Sequence, residues 1–133
     1  MTVFAPLSVG ELLDKITILR IKKDKLPSGE RRDNVALELE LLQQIWEREN
    51  IRDAEIAALF DELWEINRRL WAIEDSIRLH EKAGDFGDEF IQLARSVYVT
   101  NDHRSEIKSA INRLARSRIV EEKEYARYDD RSV

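Results

Sequence analysis

The sequence predicts an all-α protein, a helical bundle built on a long antiparallel helical hairpin. Three observations carry that expectation. Ile56, Leu59, Leu63, Ile66, Leu70, Ile73 and Ile77 recur at alternating spacings of three and four residues, which keeps an apolar seam on one side of a helix, as in a coiled coil. Phe90, Leu93, Val97, Thr100, Arg104, Ile107, Ile111 and Leu114 step in the same way. Only four glycines and two prolines punctuate the chain, and they are read as falling where helices start or stop.

The first helix is expected from about Val9 to Lys25. Ser8 followed by Glu11 reads as a capping box, in which the serine oxygen accepts from a free backbone N–H and the glutamate reaches back to the serine. Val9, Leu12, Ile16 and Leu19 form its seam with Leu13 alongside, while Ile18 and Ile21 lie on the other side. A helix apolar on two sides is expected to be sandwiched. Pro27, Ser28 and Gly29 then make a turn. Val35, Leu39, Leu42 and Trp46 stripe a second helix that ends near Glu49.

Asn50 or Asp53 can cap the third helix, expected over about 53–82, with Gly84 as its stop. At 1.5 Å per residue it spans about 43 Å, more than either earlier helix covers. Residues 85–88 form a tight acidic turn with Phe86 as an apolar plug. The fourth helix is expected over about 88–116, continuous or merely kinked; the alternative is a break near Thr100 and Asn101, where Val99, Thr100 and Asn101 are weak helix formers. A short C-terminal helix, 119–128, is expected to dock through Val120 and Tyr125, with 129–133 frayed. The whole, 1–133, is read as a single helical domain without internal repeats or linkers.

Composition narrows the function classes. Twenty-two basic residues against 27 acidic ones give a net charge of -5, with signs interleaved along the chain, so a nucleic-acid surface is not expected. No cysteine is present, which removes disulfides and thiolate chemistry and fits a cytoplasmic protein. No apolar run approaches the roughly 20 residues of a membrane span, and the first residues lack a signal-peptide pattern. No catalytic set, cofactor motif or metal motif is complete. His80 and His103 lack a second histidine at ligand spacing, and both are placed at the surface. Trp46, Trp64 and Trp71 are read as bundle packing, with Trp64 and Trp71 marking a partner surface if they are exposed.

The positions that could carry chemistry lie midway along the hairpin. If Ile77 packs opposite Phe90, then Thr100 falls against Asn67 and Arg104 against Leu63, which makes a polar layer in the seam. A guanidinium there needs a bonded partner: Asp14 is one candidate, Asp102 and Glu62 are others. The layer can fix helix register, or Asp14, Asn67, Arg95, Tyr98, Thr100, Asn101, Arg104 and Lys108 can line a site for an anionic small molecule, since arginine binds carboxylate and phosphate bidentately. A third reading is a kink that exposes these side chains.

Residues 8–19 (SVGELLDKITIL), 67–78 (NRRLWAIEDSIR), 85–104 (DFGDEFIQLARSVYVTNDHR) and 119–125 (IVEEKEY) together resemble a family of short bacterial helical proteins of unassigned function. The resemblance covers nearly the whole chain. It implies a neighbourhood of glycosyltransferase and surface-polysaccharide genes, but no activity, cofactor or catalytic residue. Taken together, the expectation is a cytoplasmic, non-catalytic helical module that forms a homo-oligomer and binds a protein partner, such as a glycosyltransferase. The alternative is an anion-binding protein or small helical enzyme centred on Arg104.

Overall fold

The computed structural model describes residues 1–129. Four helices, α1 (Val9–Lys25), α2 (Glu30–Glu49), α3 (Ala54–Ala83) and α4 (Asp88–Leu114), make up the fold, and there is no strand among the described residues. Four of the boundaries have a clear chemical cause. Ser8 caps α1 by accepting from the Glu11 N–H at 3.1 Å. Asn50 adopts the left-handed conformation (φ 51°) and ends α2, a backbone state that asparagine tolerates better than most residues. Asp53, not Asn50, caps α3: its carboxylate accepts from Glu55 N at 2.8 Å and Ile56 N at 3.1 Å. Gly84 closes α3 at φ +66°, where any Cβ would be strained.

α4 is unbroken through Thr100 and Asn101. The helices α3 and α4, joined by the short turn around Phe86, share the largest helix–helix contact of the structure, and α1 packs against each of the other three. That central position explains why α1 is apolar on two sides. Leu12, Leu13, Ile16, Leu19 and Ile21 are all buried. One cluster draws on every helix: the α1 residues Leu12 to Leu19 on this list meet Leu39 of α2, Ile56, Leu63 and Ile66 of α3, and Ile107 and Ile111 of α4.

Burial along the hairpin is lopsided. It extends through Asn67 on α3 and resumes only at Ile107 on α4; no residue over 68–106 is fully buried. Leu70, Ile73, Ile77, Leu93 and Val97 of the seam are half-buried, whereas Leu79, Phe86, Ile91 and Val99 are exposed. The core therefore sits at the end of the hairpin remote from its turn.

Gly10 falls in the first turn of α1, where a helix start is expected. One expectation needs correction. The short C-terminal helix over 119–128 does not form: after Ala115 the chain turns through Arg116 at φ 53° and continues without helical structure. An isolated helix of about ten residues is marginal in water, and the two side chains expected to dock it, Val120 and Tyr125, are 54% and 83% exposed. The fraying expected over 129–133 falls, beyond Asp129, outside the described residues.

Candidate functional site

The polar layer forms around Asp14, which is 1% exposed. Three helices converge on it. From α4, Arg104 clamps the carboxylate with two donors, Nε to Oδ1 at 2.9 Å and Nη2 to Oδ2. From α3, Asn67 Nδ2 donates to the same Oδ1 at 2.9 Å and to Thr17 Oγ1 at 2.7 Å. Thr17 in turn donates to the Asp14 backbone carbonyl at 2.7 Å. The remaining guanidinium nitrogen of Arg104 reaches Asn101 Oδ1 at 3.4 Å. Of the partners open to Arg104 on sequence, Asp14 is the one it takes; Asp102 pairs with Lys123 and Glu62 is exposed.

One turn further along α4, Lys108 is held among three acids. Its Nζ lies 2.6 Å from Glu11 Oε2, 3.1 Å from Glu121 Oε2 and 3.8 Å from Asp14 Oδ2. Burial works against the charged amine, but the Glu11 hydrogen bond and the surrounding negative charge prevail and raise its pKa. The hydrogen bond that Arg104 donates to Asp14 likewise raises its pKa, against the opposing effect of burial. Burial pushes Glu11 upward, yet the hydrogen bond and charge of Lys108 leave it lowered overall. All three shifts favour the ionised forms, as expected where charges are paired with opposite ones.

Below this cluster α1 and α4 come unusually close. The Gly10 N–H donates to Asn112 Oδ1 at 2.7 Å, and a Cβ on Gly10 would lie 2.6 Å from the Lys108 carbonyl oxygen. Only glycine fits that approach. The non-helical C-terminal segment then straps the same end: Ser117 Oγ accepts from Val9 N at 3.4 Å, and Glu121 receives Ser8 Oγ at 3.3 Å. Farther on, Tyr128 packs edge-on against Tyr98 with ring centroids 5.0 Å apart. An open groove of about 1280 Å³ separates this strap from α4 and is lined in part by Tyr98, Asn101, Ser105 and Arg113.

Residues 3–129 match a protein family described only as of unknown function, DUF6165. The chain belongs to that family. The DUF6165 match encloses every member of the polar layer and the strap that closes it, while its description assigns no activity to any of them. No curated protein and no solved structure matches the chain.

The eight residues singled out on sequence divide unevenly in this DUF6165 chain. Asp14, Asn67, Asn101, Arg104 and Lys108 come together in the layer. Arg95 is exposed, Thr100 is half-buried, and Tyr98 faces the strap instead of Arg104. Sequence reasoning missed Glu11, whose carboxylate goes to Lys108, as well as Thr17, Asn112 and Glu121. Glu11 and Asn112 could have been found from spacing: Glu11 and Asp14 lie one turn apart on α1, as Arg104, Lys108 and Asn112 do on α4. His80 also departs from expectation, being only 16% exposed in its side chain, near Asp85 at the hairpin turn. Among the described residues no group of three or more His, Cys, Asp or Glu side chains is arranged to hold a metal ion, and no helix is long and apolar enough to cross a membrane.

Proposed function

We propose that the protein is a non-catalytic helical interaction module that self-associates through the outer part of its α3–α4 hairpin. One observation carries this reading: a heptad-patterned seam runs the length of both helices, yet nothing over 68–106 is fully buried. Two helices alone cannot enclose such a seam, and four can. A second copy placed about a two-fold axis supplies the missing pair, because an isologous contact presents the same half-covered stripe from both sides. Ile73, Ile77, Leu93 and Val97 mark the half-covered stripe, and Leu79 at 66% exposure and Ile91 at 48%, which lie off the seam on the outward side of the same arm, extend the apolar surface that a second copy would cover. The polar layer serves this module by fixing how α1, α3 and α4 meet. Arg104 and Lys108 are both engaged by carboxylates, which supports register over the anion-binding alternative, since a ligand would have to displace Asp14 from a bidentate pair. A protein partner such as a glycosyltransferase, the class implied by the sequence resemblance, would then dock on the assembled form in the cytoplasm.

Sedimentation velocity over a dilution series tests the proposal. Wild-type protein is expected to run as a dimer or larger species at tens of micromolar and to dissociate on dilution, while Leu79→Glu and Ile91→Glu, both on exposed positions, should run as folded monomers. A wild-type protein that stays monomeric throughout overturns self-association.

A further inference from the structure

A second cavity, of about 350 Å³, opens where α1, the end of α2 and the start of α3 meet. Its size falls within the range of small-molecule sites, roughly 300–1,000 Å³. The deep surface is apolar: Leu13, Ile16 and Ile56 line it and are each 3% exposed or less. Trp46 and Phe60, both half-buried, add aromatic surface. Arg20 also lines the cavity, and its placement is distinctive. Its guanidinium carbon lies 5.2 Å from the centre of the Phe60 ring and 5.4 Å from that of Trp64, within cation–π range. Arg68 packs on Trp64 as well, at 4.8 Å.

Unlike Arg104, Arg20 is held by ring faces and has no carboxylate or carbonyl partner among the described residues. Contact with two rings inclined at 68° to one another confines the guanidinium and leaves its five N–H donors unused. The acids nearby do not take them up. Asp53 is committed to the two backbone N–H groups at the start of α3; Asp61 stands exposed on the rim, as does Arg52, whose Nε donates to Asn50. The charged lining, Arg20 and Arg52 against Asp53 and Asp61, sums to zero, and Arg20 is the one of the four that lies against the aromatic rings.

We propose that this cavity binds a small aromatic monoanion, its ring against Trp46 and Phe60 and its carboxylate taken by Arg20. An apolar recess with one convergent polar group is the usual form of such a site, and a fork of fixed N–H donors suits a carboxylate bidentately. The site lies at the opposite end of α3 from the hairpin turn, so it stands independently of the self-association reading.

Titration of the full chain with phenylacetate tests the proposal, followed by calorimetry and by the indole N–H resonance of Trp46, assigned through Trp46→Phe. Saturable binding is expected, with the Trp46 signal shifting and with phenylacetamide, the uncharged counterpart, binding at least about tenfold more weakly. Arg20→Gln should weaken phenylacetate by a similar factor and leave phenylacetamide unchanged. Ala57→Phe, on an exposed position of α3 that lines the cavity, should block both ligands without unfolding the chain. The monomeric variant Leu79→Glu should bind as wild type does. Absence of saturable binding up to about 10 mM, equal affinity for acid and amide, or full binding by Arg20→Gln overturns the proposal.

Discussion

Asp14 is the residue on which the packing of three helices depends, because its two carboxylate oxygens satisfy Arg104 from α4 and Asn67 from α3 at once. A fully buried carboxylate is costly on its own, and its partner guanidinium is only partly solvated, so removing either member leaves the other uncompensated. Asp14→Ala and Arg104→Leu should each lower the unfolding free energy by about 3–5 kcal/mol. In the double variant Asp14→Ala/Arg104→Leu no stranded charge remains, and the loss should fall short of the sum by about 1–3 kcal/mol. Urea unfolding of the four proteins measures this; additive losses would mean that the pair is not coupled. Glu11 adds a pH dependence. Its pKa is lowered in the folded protein by Lys108 in spite of burial, so the ionised form stabilises the fold above the unfolded carboxylate value, and that contribution disappears as pH falls through the folded one. Stability should therefore drop as pH falls through and below the ordinary carboxylate range, less steeply in Glu11→Gln than in wild type. Lys108, raised, has the opposite sign and loses its contribution only as pH rises above its ordinary value.

At the scale of helices, the approach of α1 to α4 sets two rules against each other. Replacing a glycine inside a helix by alanine usually stabilises by about 0.5–1 kcal/mol. At Gly10 the new methyl would meet a backbone carbonyl at 2.6 Å, and a backbone atom cannot rotate aside. Overpacking of this kind costs about 1–3 kcal/mol, so Gly10→Ala should destabilise, measured as a lowered urea midpoint. This contact also marks where the sequence stopped being legible. The spans of all four helices follow from the 3,4 spacing and from Ser8, Asp53 and Gly84, because caps and seams are local or periodic. The need of Arg104 for an acid was legible too, with Asp14 one of three candidates beside Asp102 and Glu62; the choice among them depends on how α1 packs, which spacing along α4 does not show. The close approach at Gly10 was not, because a glycine near a helix start reads locally as punctuation, and only the position of α4 reveals the need for it. Glu11 was misread for a related reason: a capping box and an interhelical salt bridge present the same residue at the same spacing. The C-terminal segment failed differently. Its acidic run, Glu121, Glu122 and Glu124, reads as helical by propensity but lacks an apolar face to dock, so Glu121 serves better as a strap onto Lys108 and Ser8.

For the molecule as a whole, the asymmetry of burial implies an asymmetry of local stability. The residues that exclude water from all sides, Leu13, Ile16, Leu63 and Ile111, lie around the polar layer, and opening any of their helices there exposes the main cluster. Around the hairpin turn the amides of α3 and α4 are protected only by a half-buried seam and by the Gly84 cap. Opening free energies follow the number of buried apolar contacts that opening breaks. Hydrogen exchange should therefore show slow amides over 12–19, 59–67 and 107–112 and faster ones over 74–97. The pattern should also depend on concentration. If a second copy covers the outer hairpin, exchange over 74–97 slows as the dimer forms, by mass action on a state that only the folded arm can bind, while the amides around Asp14 keep their rates. Uniform protection along both helices at every concentration would show that the outer hairpin is as stable alone as the layered end, and the physical reason for a partner there would be gone.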